Sequence, residues 1–273
     1  MRRRRASVAG RWYADDPAQL TAEVDRYISR AELDAIGSPV LAIVAPHAGL
    51  VYSGPVAAFA YKAAVHSGCT AAVLVGPSHY VPFQGASIWP DGVWESPLGD
   101  VAIDANLAHA IQATSETVVD LPSAHGREHS LEMQLPFVTR VLPGIPIVPL
   151  VMGEQTRQTA FGLADALEYA ISRRAGRTLL IASSDLSHYE NATTAQALDA
   201  VVLRHVEALD ADGLMHALEA EPRHACGGGP MVSVLEAVRR LGASRAHVLE
   251  YADSGDVSGD KSSVVGYMAA AIW

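Results

Sequence analysis

The chain has 273 residues, of which 49% are hydrophobic and 18% charged, and 30 acidic against 20 basic residues give a net charge of −10. This composition excludes a disordered chain and argues against a broad nucleic-acid-binding face, which requires an excess of basic residues. The length suits one large hydrophobic core, so we predict a single domain over residues 1–273.

The N-terminal segment carries four consecutive arginines, Arg2 to Arg5, followed by a short and partly polar stretch. That stretch is too short for the apolar part of a secretory signal peptide, so we predict that residues 1–9 form a frayed terminus. No run of 18 uninterrupted apolar residues occurs, so no membrane span is predicted. Cys69 and Cys226 fit no disulfide framework, which favours a reducing, cytoplasmic location.

Short apolar runs alternate with alanine-rich helical segments along the chain. The runs predict buried strands at residues 40–44, 71–75, 145–152 and 178–182. Helical patterns lie at residues 54–65, 106–113, 130–141, 158–172, 194–209 and 231–240. Two more strands, at residues 246–251 and 263–272, would add an antiparallel part to the sheet. This order predicts an α/β fold, a single-domain α/β/α sandwich around a mixed central sheet.

Histidine motifs follow three of the four buried strands. His47 comes after the first strand, His79 after the second, and His188 after the fourth, with Asp185 three residues before it. Open α/β sheets bind ligands outside the carboxyl ends of their strands. One such histidine alone would more often make a local hydrogen bond. Three at equivalent places predict a shared site, with Asp185 holding the ring of His188 in one tautomer.

Cys226 stands before a glycine-rich turn and the helical pattern that starts at residue 231. Unpaired N–H groups and the helix dipole favour a thiolate at such a position, ready to react or to bind a metal. The alternative is a small buried apolar residue in a tight turn. The glycines are not followed by the lysine of a phosphate-binding loop.

His129 and Glu132 lie three residues apart at the start of the helix predicted for residues 130–141. Residues with this spacing share a helical face, so both could enter the same cleft, and we predict that they bind substrate. The alternative is a first helical turn whose acidic groups complement the helix dipole.

Five motifs, in this order, resemble the Memo family, which includes the bacterial AmmeMemoRadiSam system protein B. The motifs are Pro46–Gly49 with Ser53–Gly54, Gly76–His79, Glu128–Glu132 with Gln134–Pro136, Ser183–His188 and Cys226–Pro230. The likeness runs from residues 10–13 to residues 262–267 and so covers nearly the whole chain. Memo proteins look like class III extradiol dioxygenases in fold, and the resemblance implies that architecture here.

Carried over residue by residue, the resemblance implies that His47, His79 and Cys226 bind one transition metal ion, which would be iron, copper or zinc. In the dioxygenases the third ligand is a carboxylate, whereas in Memo proteins it is a cysteine. The histidine that acts as acid and base in the dioxygenases matches His188, and Asp185 accompanies it. The family name also implies partners, a radical SAM protein and an AMMECR1-like protein.

Three functions are compatible with these residues. The first is a non-heme metal-dependent oxidoreductase acting on a small molecule or peptide, in which the soft thiolate argues against ordinary catechol cleavage. The second is a metal-binding or peptide-binding module without turnover on a dioxygenase scaffold. The third is a hydrolase. Ser183 and Ser184 lack the Gly-x-Ser-x-Gly motif of serine hydrolases, so it would be a zinc hydrolase, in which the bound metal activates water.

Overall fold

The computed structural model describes residues 2–273, and within them the chain forms twelve β-strands and ten α-helices. The strands are β1 (Arg3–Arg4), β2 (Ala42–Ala45), β3 (Ala71–Pro77), β4 (Ala86–Ile88), β5 (Val93–Trp94), β6 (Val101–Ala102), β7 (Val118–Val119), β8 (Ile147–Met152), β9 (Thr178–Ser183), β10 (His188–Glu190), β11 (Ala246–Asp253) and β12 (Val264–Ile272). The helices are α1 (Pro17–Arg30), α2 (Leu50–Ala64), α3 (Ala105–Thr114), α4 (Pro122–Gly126), α5 (Leu135–Val141), α6 (Arg157–Ser172), α7 (Ala192–Glu207), α8 (Ala211–Ala220), α9 (Gly228–Arg240) and α10 (Gly255–Ser258). None of the described helices has both the length and the apolar character needed to cross a bilayer.

Nine strands form one mixed sheet with the order β10-β12-β2-β9-β3-β8-β4-β7, and β11 pairs with β12 beside β10. The central strands β2, β9, β3 and β8 are parallel, and all their residues are buried. Strand β12 is antiparallel to β2, as β4 is to β8. The four predicted buried strands and the antiparallel C-terminal part are therefore confirmed.

Helices cover both faces of this sheet. Successive strand residues point to opposite faces of the sheet, so neighbouring residues such as Ile43 and Val44 belong to different cores. The core that contains Val44 is covered by α3, α6, α7, α8 and α9. The core that contains Ile43 is covered by α1, α2 and α5. The two cores make an α/β/α sandwich, as predicted. Helix α1 was not among the predicted helices, although its buried Leu20, Val24 and Tyr27 have helical spacing.

The helix predicted for residues 130–141 begins later than expected. A short 3-10 turn spans Glu132–Gln134, and the α-helix starts only at Leu135, with Pro136 in its first turn. The Glu128 carboxylate accepts the backbone N–H groups of His129 and Ser130 at 2.9 Å each. These bonds hold that segment in a non-helical conformation, since an acidic side chain that satisfies nearby N–H groups competes with the helix.

The prediction of a frayed N-terminus is wrong for residues 2–9, and Met1 lies outside the described residues. Strand β1 pairs in parallel with β5. Arg4 is 2% exposed, and its guanidinium bonds the Glu132 carboxylate and the backbone carbonyls of His125 and Glu128. A buried guanidinium requires such partners, and they fix the start of the chain against the body of the domain.

We expect Arg4→Ala to lower the free energy of unfolding by about 3 kcal/mol, because it leaves the buried Glu132 carboxylate without its cation. Arg3 is the matched control, since it pairs with Asp100 at the surface and its removal should cost less than about 1 kcal/mol. Urea unfolding of both variants measures the difference. Equal small losses would show that the Arg4 pair contributes little to stability.

Candidate metal centre

The loops after β2, β3 and β9 carry His47, His79 and Asp185, and these strands end at the same edge of the sheet. Cys226 reaches this edge from the loop before α9, where its backbone N–H donates to the Asp185 carbonyl at 3.2 Å. Its Sγ lies 3.3 Å from His47 Nε2. Donor atoms of His47, His79 and Cys226 all lie within 4.8 Å of one another, so the three predicted ligands are brought together.

Hydrogen bonding determines which nitrogen of His47 is free. Its Nδ1 lies 2.9 Å from Ser183 Oγ, and that hydroxyl donates its only proton to the Ser130 carbonyl at 2.6 Å. Gln134 Nε2 donates to the same Ser183 oxygen at 2.7 Å. Ser183 Oγ can therefore only accept from His47, which places the ring proton on Nδ1 and leaves an Nε2 lone pair facing Cys226.

Glu128 performs the same task for His79. Its carboxylate accepts from His79 Nδ1 at 2.8 Å and from the His79 backbone N–H at 2.6 Å, which leaves Nε2 as the ring nitrogen available to a metal ion. Burial opposes ionisation of Glu128, yet the hydrogen bonds from His79 outweigh it and lower its pKa to about 2. Sequence analysis did not assign Glu128 a role, although a carboxylate beside a histidine in one motif was a usable signal.

Burial disfavours the ionised forms of two of the three donor groups, His47 and Cys226. Burial raises the pKa of the Cys226 thiol, and the charge of Asp185 raises it further. The thiolate expected at this helix N-terminus is thus not favoured by the fold alone. Burial also lowers the pKa of His47 well below its usual range. Two imidazoles and one thiol fit a transition metal ion, which would displace the thiol proton on binding.

His188 lines the same cavity and has a free Nε2, since its Nδ1 donates to the Leu186 carbonyl at 2.8 Å. The prediction that Asp185 orients the His188 ring is wrong, because a backbone carbonyl does so. Asp185 Oδ1 instead accepts the backbone N–H groups of His47 and Ala48, at 2.7 and 3.2 Å. Asp185 thus fixes the loop that carries the first histidine, and burial raises its own pKa.

The structure separates His129 from Glu132. His129 lines the cavity, with its ring centroid 4.4 Å from that of His79, and burial lowers its pKa to about 3. Glu132 is fully buried away from the cavity, paired with Arg4, and its predicted contact with substrate is wrong. The two residues do not share a helical face, because the helix starts after them.

Glu132 anchors the N-terminal segment. Besides the Arg4 pair, its carboxylate accepts the backbone N–H groups of Ser7 and Val8 and the Tyr13 hydroxyl, at 2.8 to 2.9 Å. This segment carries Trp12, whose ring centroid lies 4.2 Å from that of His129. The buried Glu132 carboxylate therefore fixes the position of Trp12 in the cavity wall, because it anchors the segment that carries this residue.

The cavity has a volume of about 360 Å³. It is lined by Trp12, His47, Ala48, Gly49, His79, His129, Asp185, His188, Tyr189, Cys226 and Val265. Trp12 and Tyr189 were not predicted as site residues, and only the resemblance over residues 10–13 had drawn attention to the first of them. The lining combines candidate metal ligands with aromatic rings.

The chain is thus an α/β/α sandwich protein that carries two histidines and a cysteine as candidate metal ligands at the carboxyl edge of its sheet. The family model described as "Memo-like protein" matches residues 4–271, and the chain belongs to the Memo family. It is 39% identical to a MEMO1 family protein of Methanothermobacter thermautotrophicus over 97% of this chain and 98% of that one. A MEMO1 family protein of Methanopyrus kandleri is 38% identical over 97% of each chain.

A solved structure of an uncharacterized protein from Escherichia coli K12 is similar in fold. The TM-score is 0.54, with 14% sequence identity, over 84% of this chain and 99% of that chain. At this identity the likeness concerns the fold alone.

We expect Ser183→Ala to lower the affinity for zinc about 10- to 100-fold, because His47 then loses the acceptor that orients its ring. Ser233→Ala is the control, since this buried serine bonds only the Ala160 and Gly229 carbonyls. Calorimetric titration with zinc measures both variants. An unchanged affinity in Ser183→Ala would show that the serine does not orient His47.

Proposed function

We propose that the protein is a non-heme metal-dependent oxidoreductase whose His47, His79 and Cys226 hold one transition metal ion. The observation that carries the proposal is that both imidazole rings are hydrogen-bonded at Nδ1, so that each offers Nε2 beside the Cys226 thiol. Iron or copper bound here would supply one-electron redox chemistry, and the sulfur donor favours copper or zinc over hard cations.

The residues around this triad support acid and base chemistry. His188 lines the cavity with its Nδ1 bonded to the Leu186 carbonyl, and its Nε2 would accept a proton from a bound substrate. Asp185 holds the His47 loop, so its carboxyl group lies close to the donors. His129 remains neutral near neutral pH and contributes a flat wall rather than a charge.

A serine hydrolase receives no support from the site. Ser183 and Ser184 are both fully buried, and their hydroxyls donate to the carbonyls of Ser130 and Asp185. The substrate class is a small molecule or a peptide, in view of the cavity volume. The family resemblance adds a radical SAM protein and an AMMECR1-like protein as partners in a modification pathway.

We expect Cys226→Ser to lower zinc affinity by about 100-fold or more, because a hydroxyl is a far poorer ligand than a thiolate. Cys69→Ser is the matched control, since Cys69 is a buried free cysteine that is not among the candidate ligands. Calorimetric titration of zinc into each purified variant measures the change. Full retention of zinc by Cys226→Ser would contradict the proposed ligand set.

We expect His188→Asn to bind zinc within about threefold of the wild type, because His188 lines the cavity without belonging to the donor triad. His79→Asn should fail to bind with comparable affinity in the same titration. If both substitutions weakened zinc binding equally, His188 would be a ligand and its role as a free base would be lost.

We expect the iron-loaded protein to open the ring of catechol slowly or not at all, because the sulfur ligand replaces the carboxylate that suits ring cleavage by iron. Absorbance of the ring-opened product in air measures this activity. Cys226→Glu is expected to shift metal preference towards iron. Robust ring opening by the native protein would show that the thiol does not govern the chemistry.

A further inference from the structure

We propose that Gln155 is a positioning residue of the candidate metal centre, which holds the turn that carries Cys226 so that the thiol stays beside His47. The inference rests on the proposed function, because the position of Cys226 matters there as the position of a metal ligand. It also brings another strand to the centre, since Gln155 follows β8, whereas the two histidines follow β2 and β3.

Gln155 bridges the two ends of that turn with one side chain. Its Nε2 donates to the Cys226 carbonyl at 2.7 Å, and its Oε1 accepts the Gly229 N–H at 2.7 Å. A backbone carbonyl can only accept and a backbone N–H can only donate, so these two partners determine the orientation of the amide. The bonded residues lie 71 and 74 positions apart in the sequence, so the bridge is a tertiary contact.

Helix α9 explains why the turn needs a partner from another part of the chain. The first N–H groups of a helix have no acceptor within it, and the side chain of the N-cap residue usually supplies one. The N-cap residue of α9 is Gly227, which makes no such bond. The Gln155 amide oxygen takes its place at Gly229, the second residue of the helix. Glycine permits this approach, because a β-carbon at position 229 would lie 2.9 Å from the Gln155 Cβ.

The Cys226 backbone is held from two sides. Its N–H donates to the Asp185 carbonyl at 3.2 Å, in the loop after β9, and its carbonyl accepts from Gln155, in the loop after β8. The two bonds fix the orientation of the cysteine backbone, and with it the direction of the side chain. The Cys226 Sγ consequently lies 3.3 Å from His47 Nε2.

The loop that carries Gln155 is itself fixed at both ends. Before it, the Glu154 N–H donates to the Phe83 carbonyl at 2.8 Å. A β-carbon at Gly153 would lie 2.0 Å from the same carbonyl oxygen, so the close approach requires glycine. After it, the Thr156 side chain caps α6. A side chain on such a fixed loop holds its partner in place rather than following its movements.

Zinc titrations of the full chain test the inference. Gln155→Met keeps the length of the side chain and removes both hydrogen bonds. We expect it to weaken zinc binding about 10-fold, which is typical when a residue that orients a metal ligand is replaced. Gln158→Met is the matched control, since Gln158 is an exposed glutamine in the first turn of α6, and its affinity for zinc should equal that of the wild type.

The double variant Gln155→Met/Cys226→Ser separates positioning from general damage to the fold. If Gln155 acts through the thiol, its replacement should change the zinc affinity of Cys226→Ser by less than about twofold, because the ligand that it positions is already absent. A further loss of about 10-fold in the double variant, or an unchanged affinity in Gln155→Met alone, would overturn the inference.

Thiol labelling of the metal-free protein gives a second measurement that does not depend on zinc. Iodoacetamide modifies thiols, and mass spectrometry reads Cys226 and Cys69 separately in the same chain. We expect Gln155→Met to speed the labelling of Cys226 at least about threefold, because the loosened turn exposes the thiol more often. The buried Cys69 should be labelled at the wild-type rate. An unchanged rate at Cys226, or equal acceleration at both cysteines, would contradict a positioning role.

Failure of the proposed function gives a different pattern. If wild type and Cys226→Ser bound zinc equally, the ligand set would fail, whereas selective labelling of Cys226 in Gln155→Met would still support the positioning role. If Cys226→Ser lost zinc and Gln155→Met did not, the ligand set would stand and the inference about Gln155 would fail.

Discussion

Two hydrogen bonds to ring nitrogens set the chemistry of this site. Ser183 accepts from His47 and Glu128 accepts from His79, and both bonds leave the opposite nitrogen free beside Cys226. Ser183 is the last residue of a central strand, so its position is fixed by the sheet. Glu128 lies in a loop, and its own backbone carbonyl accepts a hydrogen bond from Arg4. The orientation of the His47 and His79 rings therefore depends on both the central sheet and the N-terminal strand.

A cavity of imidazoles and a thiol is easier to bury than one lined by permanently charged side chains. Burial disfavours the ionised forms of His47, His129 and Cys226, and no lysine or arginine lines the cavity to offset Asp185. No basic side chain of the lining therefore compensates the carboxyl group of Asp185, and a cation bound from solution could do so. A divalent ion would compensate that group and would stabilise the thiolate at the same time.

Much of the fold could be predicted because buried parallel strands are continuous apolar runs, and the crevice rule then placed His47, His79 and His188 at one edge. What failed depends on contacts between distant residues. Arg4 pairs with Glu132 across 128 positions, so nothing local distinguished it from a solvated arginine. Glu128 holds residues 129 and 130 out of the helix through its own side chain, which separated His129 from Glu132. The left-handed backbone of Tyr189 likewise has no local sequence signal, since glycine or asparagine would be the usual residue there.

X-ray absorption spectroscopy of the zinc-loaded protein tests the central claim most directly. The structure predicts one sulfur scatterer at about 2.3 Å and two imidazole nitrogens at about 2.0 to 2.1 Å from the metal. The sulfur contribution should disappear in Cys226→Ser and persist in Cys69→Ser. A spectrum with only nitrogen and oxygen ligands in the wild type would contradict a centre built from His47, His79 and Cys226.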